Sequence, residues 1–147
     1  MKKDFKILLD SNKFKLIKSL KLLQASFDKI VPYDNNKNYS PEESEPYDAL
    51  SDRFSRAIEI SIKFFRSYEL FLFGENSDTL RDLLNTMNKL ELITSVGLWI
   101  EMRNVRNRIV HDYLPEEIKQ LFDSILLEYA QELIRLSEKI IKIDTED

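Results

Sequence analysis

Two glycines and four prolines are all that could break up a chain of 147 residues. A sheet built from many short strands needs such residues at every reversal, whereas helices exclude both from their interiors. Leu, Ile, Lys and Glu are the commonest residues, and apolar side chains recur at steps of three and four, the period of a helix with one buried face. The sequence therefore predicts long helices, with no stretch that keeps a strand-like alternation.

The first helix is predicted over 10–31, with Phe14, Ile17, Leu20, Leu23, Phe27 and Ile30 inward and Pro32 as its stop. Residues 32–46 are crowded with turn formers and nearly free of apolar groups, so they read as a loop with a solvated acidic run. A second, greasier helix is predicted over 47–73: Leu50, Phe54, Ala57, Ile58, Ile62 and Phe65 step along one side, followed by Glu69 or Leu70, and Gly74 stops it. Shorter helices follow over 78–91 and over 95–112, the latter capped by Thr94 or Ser95. Pro115, Glu116 and Glu117 open a last helix over 115–143, because proline and acids suit a first turn. A charged tail, 144–147, is expected to fray. Short connections between the later helices make neighbours antiparallel. The expectation is an all-α, up-and-down bundle of four to five helices, one domain spanning 1–147.

Several functions are excluded by what is missing. There is no cysteine, hence no disulfide, thiolate zinc site or cysteine nucleophile, and one histidine makes a poor zinc site. With two glycines there is no glycine-rich phosphate loop. A net charge of −4 argues against a general nucleic-acid coat but not against a local basic site. No apolar run approaches the ~20 residues that span a bilayer, and residues 1–4 lead into a charged segment rather than a signal core. A cytoplasmic protein with no membrane contact, metal or cofactor is expected.

One stretch, 103–113, concentrates chemistry. It holds Arg103, Arg106, Arg108 and the chain's single histidine, His111, followed by Tyr113. On a helix Arg103, Asn107 and His111 rise along one face, while Arg106 and Tyr113 lie on an adjacent strip with Trp99, Met102 and Ile109. Histidine exchanges protons near neutral pH, and a guanidinium grips a phosphodiester with two parallel hydrogen bonds. These groups suit attack of a 2′-hydroxyl on the adjacent phosphate within RNA, with no metal required. A single histidine does not readily act as both base and acid, so the chemistry calls for a symmetric dimer that brings two copies of the stretch together. The same residues also fit a solvated helix end, where a histidine is favoured by the macrodipole alone.

Arg106-Asn107-Arg108-Ile109-Val110-His111 fits the RNxxxH pattern of HEPN domains, and with Tyr113 the longer R-x4-H-x-Y pattern of HepT-like proteins. The stretch from Asp52 to Glu59 with Phe64 and Phe65, and the run from Leu98 to Asn107, resemble the same group, particularly its nucleotidyltransferase substrate-binding branch. The likeness covers about residues 10–140. It implies a dimerising HEPN-like helical bundle acting as a metal-independent ribonuclease toxin of a type VII toxin–antitoxin pair, with a minimal nucleotidyltransferase as antitoxin. Arg106 would bind and polarise the phosphate, His111 would transfer a proton and Asn107 would orient groups in the cleft. Arg103 and Arg108 would give electrostatic support. Tyr113 matches the tyrosine that the nucleotidyltransferase adenylylates in some members. No role is implied for Asp52 or Glu59. On the substrate-binding branch some members are described only as non-catalytic partners of the nucleotidyltransferase, which is the alternative reading.

Overall fold

The computed structural model describes residues 1–108 and 115–143. Every regular element among them is helical: α1 (Lys2–Lys29), α2 (Pro41–Phe73), α3 (Leu80–Lys89), α4 (Val96–Arg108), α5 (Pro115–Ser124) and α6 (Ala130–Ile141). A π-helical turn, Ile125–Tyr129, joins α5 to α6, so the three form one uninterrupted rod.

The expected boundaries need two corrections, both at N-termini. Helix α1 begins at Lys2 rather than at residue 10, with Asp4 in the first turn, where its charge complements the helix dipole. Leu9, fully buried, extends the apolar stripe of Leu16, Leu20 and Leu23 toward the N-terminus. That stripe leaves Phe14 outside it, 69 % exposed, so the inward placement of Phe14 is wrong by a fraction of a turn. Helix α2 begins at Pro41, six residues before the expected start. The Ser40 hydroxyl accepts from the Glu43 N–H and the Glu43 carboxylate accepts from the Ser40 N–H, a reciprocal capping box with proline at the first position. Pro46 sits inside this helix instead of ending a loop. At the other end Gly74 takes the left-handed conformation (φ 78°) that a side chain would disfavour, and its N–H closes onto the Leu70 carbonyl.

Side-chain contacts fix the up-and-down order. Arg53 donates to the Leu22 carbonyl and to Ser26 Oγ, and Tyr47 donates to the Val31 carbonyl, so α1 and α2 run antiparallel. Glu59 faces Arg106, and Phe65 packs edge-on against Trp99 with ring centroids 5.0 Å apart, so α2 and α4 are antiparallel too. Tyr129 reaches Glu101, and Trp99 reaches Glu132, which sets the rod antiparallel to α4. Lys13 donates to the Ile143 carbonyl and closes the circuit between α1 and the end of the rod. The short α3 bridges α2 and α4 at one end. Leu9, Leu50, Phe54, Ile58, Phe64, Phe65, Leu83, Trp99, Ile125 and Leu133 belong to one continuous apolar core.

Two buried carboxylates belong to this framework. Glu132 accepts from Trp99 Nε1 (2.7 Å), Thr94 Oγ1 (2.8 Å) and the Thr94 N–H (3.1 Å). Glu69 accepts from the N–H (2.6 Å) and the hydroxyl (2.5 Å) of Ser77. Thr94 is therefore committed to Glu132, and Ser95 caps α4 by accepting from the Leu98 N–H. No described helix is long and apolar enough to cross a membrane.

Candidate functional site

The antiparallel order sets the C-terminal turn of α4, the first half of α2, the 30–39 connection and α5 at one end of the bundle. Helix α4 buries Trp99, Met102 and Val105. Arg106 borders that stripe, and its side chain is 31 % exposed and turned toward α2. There Arg106 Nη1 lies 3.9 Å from Glu59 Oε2, while its Nε donates to Asn107 Oδ1 at 3.3 Å. Glu59 also pairs with Lys63 at 3.6 Å. These contacts are long and half-solvated, so the guanidinium keeps donors to offer a second anion, and the ion pair itself contributes little to stability.

Arg103 and Asn107 stand on the exposed side of α4, one turn apart, as helical spacing predicts. Arg108 is exposed at the end of the same helix, and its charge is felt by Tyr129. The Tyr129 phenol is pushed well above its ordinary range, chiefly by burial and then by its hydrogen bond to Glu101, so it stays neutral. His111 and Tyr113 lie outside the described residues. Of the residues singled out by sequence, Arg103, Arg106, Asn107 and Arg108 thus share one helical turn and a half. Glu59, to which no role was assigned, faces Arg106 directly. Its only signal in the sequence was a charge on the flank of an otherwise apolar helix.

Farther along the same face of α2 a cleft of about 610 Å³ opens between α2 and α5. One wall carries Ser44, Asp48, Ser51, Asp52 and Ser55; the other carries Ile118, Leu121, Phe122 and Ile125. An aromatic cluster closes one end: Tyr33 stacks on Tyr39 (4.8 Å), and Tyr33, Tyr47 and Phe122 meet at 5.2–5.5 Å. Burial, with the neighbouring Tyr39, pushes the Tyr47 phenol up to about 12, and its proton is donated to the Val31 carbonyl. No cluster of metal-ligating side chains occurs among the described residues.

Fold and local geometry together define a class: an antiparallel helical bundle with Arg103, Arg106 and Arg108 gathered at the end of α4. A family model described as nucleotidyltransferase substrate binding protein like matches residues 15–142, nearly the whole chain. The chain belongs to that family. No curated protein and no solved structure matches it.

Proposed function

We propose that this protein is the helical partner of a nucleotidyltransferase and that residues 103–113 form a metal-independent, HEPN-type RNA-cleaving site. The observation that carries the reading is Arg106, half-buried at the end of α4 and held only loosely by Glu59. A phosphodiester that approaches closely can accept two parallel hydrogen bonds from that guanidinium, which the Glu59 carboxylate at 3.9 Å does not. In the reaction the 2′-oxygen bonds to the adjacent phosphorus, the bond from phosphorus to the 5′-oxygen breaks, and the products are a 2′,3′-cyclic phosphate and a free 5′-hydroxyl. His111 takes the 2′-hydroxyl proton or gives one to the leaving oxygen, and Arg106 neutralises the charge that builds on the phosphoryl oxygens. A homodimer would supply the second histidine, and the site would work in the cytoplasm as a toxin. The nucleotidyltransferase would silence it by placing AMP on Tyr113, adding negative charge where RNA must bind.

The family's own description favours a second reading, in which the chain presents this end of the bundle to a nucleotidyltransferase and cleaves nothing. Growth separates the two. Induction of the protein alone should arrest growth, and Arg106→Ala or His111→Ala should each relieve the arrest. Wild type and both variants behaving alike would leave only the non-catalytic reading. Tyr113 is tested by mass: with the nucleotidyltransferase and ATP the wild type should gain AMP units and Tyr113→Phe should not.

A further inference from the structure

The cleft between α2 and α5 has one polar wall and one apolar wall, and the polar wall is unoccupied by the protein itself. Asp48, Ser51 and Ser55 fall at steps of three and four on α2, so they line a single strip of the helix. None of the three has a side-chain hydrogen bond or ion pair among the described residues. Asp52, by contrast, is paired through one oxygen with Arg56 at 2.7 Å. Asp48 is therefore the carboxylate of this wall that has no side-chain partner among the described residues. Facing it are Ile118, Leu121 and Phe122, with Tyr33 and Tyr47 beside them. Such a space suits a flat, neutral molecule that lays one face on the apolar wall and donates N–H groups from one edge. Its volume lies within the range of small-molecule sites.

The same strip leads to the arginine. Ser55 precedes Glu59 by one helical turn, about 6 Å along the axis, and Glu59 faces Arg106. Asp48 lies about 16 Å from Glu59 along α2. A strand whose phosphate sits on Arg106 would thus run a nearby nucleotide past Arg56 and into the cleft. Single-stranded RNA is read in this way, by bases splayed out, stacked on aromatic rings and hydrogen-bonded at their edges.

We propose that the cleft between α2 and α5 is a base-recognition subsite, and that it takes a guanine near the cleaved phosphate. Guanine is selected because a carboxylate is a pure acceptor with two oxygens, and the guanine edge alone presents two adjacent donors, N1–H and the N2 amino group, in parallel. Ser51 and Ser55 supply hydroxyls for the remaining polar atoms. The negative charge of Asp48 meets the base and not the backbone, whose phosphates fall toward Arg56 and Arg106. The assignment of the base to RNA rests on the cleavage reading above; the assignment of the cleft to guanine does not.

The test uses the intact protein and free nucleosides, which carry no phosphate and cannot be cleaved. Guanosine should bind saturably. Adenosine, cytidine, uridine and inosine, which lacks the N2 amino group, should each bind about tenfold or more weaker, the discrimination expected of a paired contact. Asp48→Asn replaces one acceptor oxygen by a donor, and guanosine binding should fall by a similar factor with the fold intact. Asp48→Glu should recover part of it. Arg106→Ala should leave nucleoside binding unchanged, because that residue serves the phosphate. Equal binding of all five nucleosides, no binding of guanosine, or Asp48→Asn binding as wild type would each overturn the proposal. Guanosine binding by a protein that cleaves no RNA would retain the subsite and remove the cleavage reading.

Discussion

Glu132 and Glu59 are both glutamates set beside α4, and they do opposite work. Glu132 is buried and takes three hydrogen bonds, from an indole, a hydroxyl and a backbone N–H, all at 2.7–3.1 Å. Both of its oxygens are engaged, and withdrawing it would strand the donors in an apolar core. Glu59 is half-exposed and meets Arg106 at 3.9 Å and Lys63 at 3.6 Å. Water can replace it at either partner. Polar contacts inside a helical bundle are thus of two kinds. Those that are short, buried and complete hold the helices in place, and those that are long and half-wet mark where another molecule can exchange in.

The comparison breaks first at Glu132. Glu132→Ala should cost about 3 kcal/mol of unfolding free energy, the range for leaving buried polar partners unpaired. Urea unfolding read by the fluorescence of Trp99, the chain's single tryptophan, reports both the midpoint and the lost indole contact. A cost below ~1 kcal/mol would mean that the network is not part of the framework. Ser40→Ala comes next. It removes one arm of the capping box and should cost about 1 kcal/mol, with fraying confined to the first turns of α2. Hydrogen exchange at residues 42–45 locates the loss.

Glu59→Gln should fall at the other extreme. It should change stability by less than ~0.5 kcal/mol, as exposed pairs do. It should also tighten RNA binding at low salt, roughly two- to fivefold, because the competing carboxylate is gone. Weaker binding would recast Glu59 as the group that aims Arg106.

The smallest effect is a titration. Lys37, 2.5 Å away, and the Ser40 contacts lower the Glu43 carboxyl to about 2. A depressed folded-state pKa means that the contribution is present above the ordinary carboxylate value of 4.5 and is lost as pH falls from there toward 2. Because Glu43 is exposed, salt should shrink this window, and Lys37→Ala should narrow it.

Much of this architecture was legible in the periodicity. The apolar steps of α2 and of the rod, the stop at Gly74 and the restart at Pro115 all follow from spacing and turn chemistry. The misplaced starts have local causes. Residues 2–9 are half charged, and only Leu9, buried by contacts far off in sequence, shows that they face a core. Ser40 to Glu43 carries a capping signature, but Pro41 within it and Pro46 after it read as loop. The π turn at Ile125–Tyr129 leaves no mark in a helical pattern, because one extra residue merely shifts which side chains turn inward.

Of the site, the sequence yielded the arginines and their shared helix, since i, i+3 and i+4 neighbours are a local property. It could not yield the pairing of Arg106 with Glu59, nor the cleft beside it. Both depend on how α2 meets α4 and α5, and that meeting is decided by side chains packed from distant parts of the chain.

The central claim is that Arg106 serves a phosphodiester and not merely Glu59. Incubation of the purified protein with single-stranded RNA in EDTA, followed by analysis of the RNA ends, tests it most directly. The account predicts 2′,3′-cyclic phosphate and 5′-hydroxyl ends from wild type, and none from Arg106→Ala or His111→Ala, both with wild-type unfolding curves. Intact RNA with the wild type, or cleavage that survives Arg106→Ala, would contradict it.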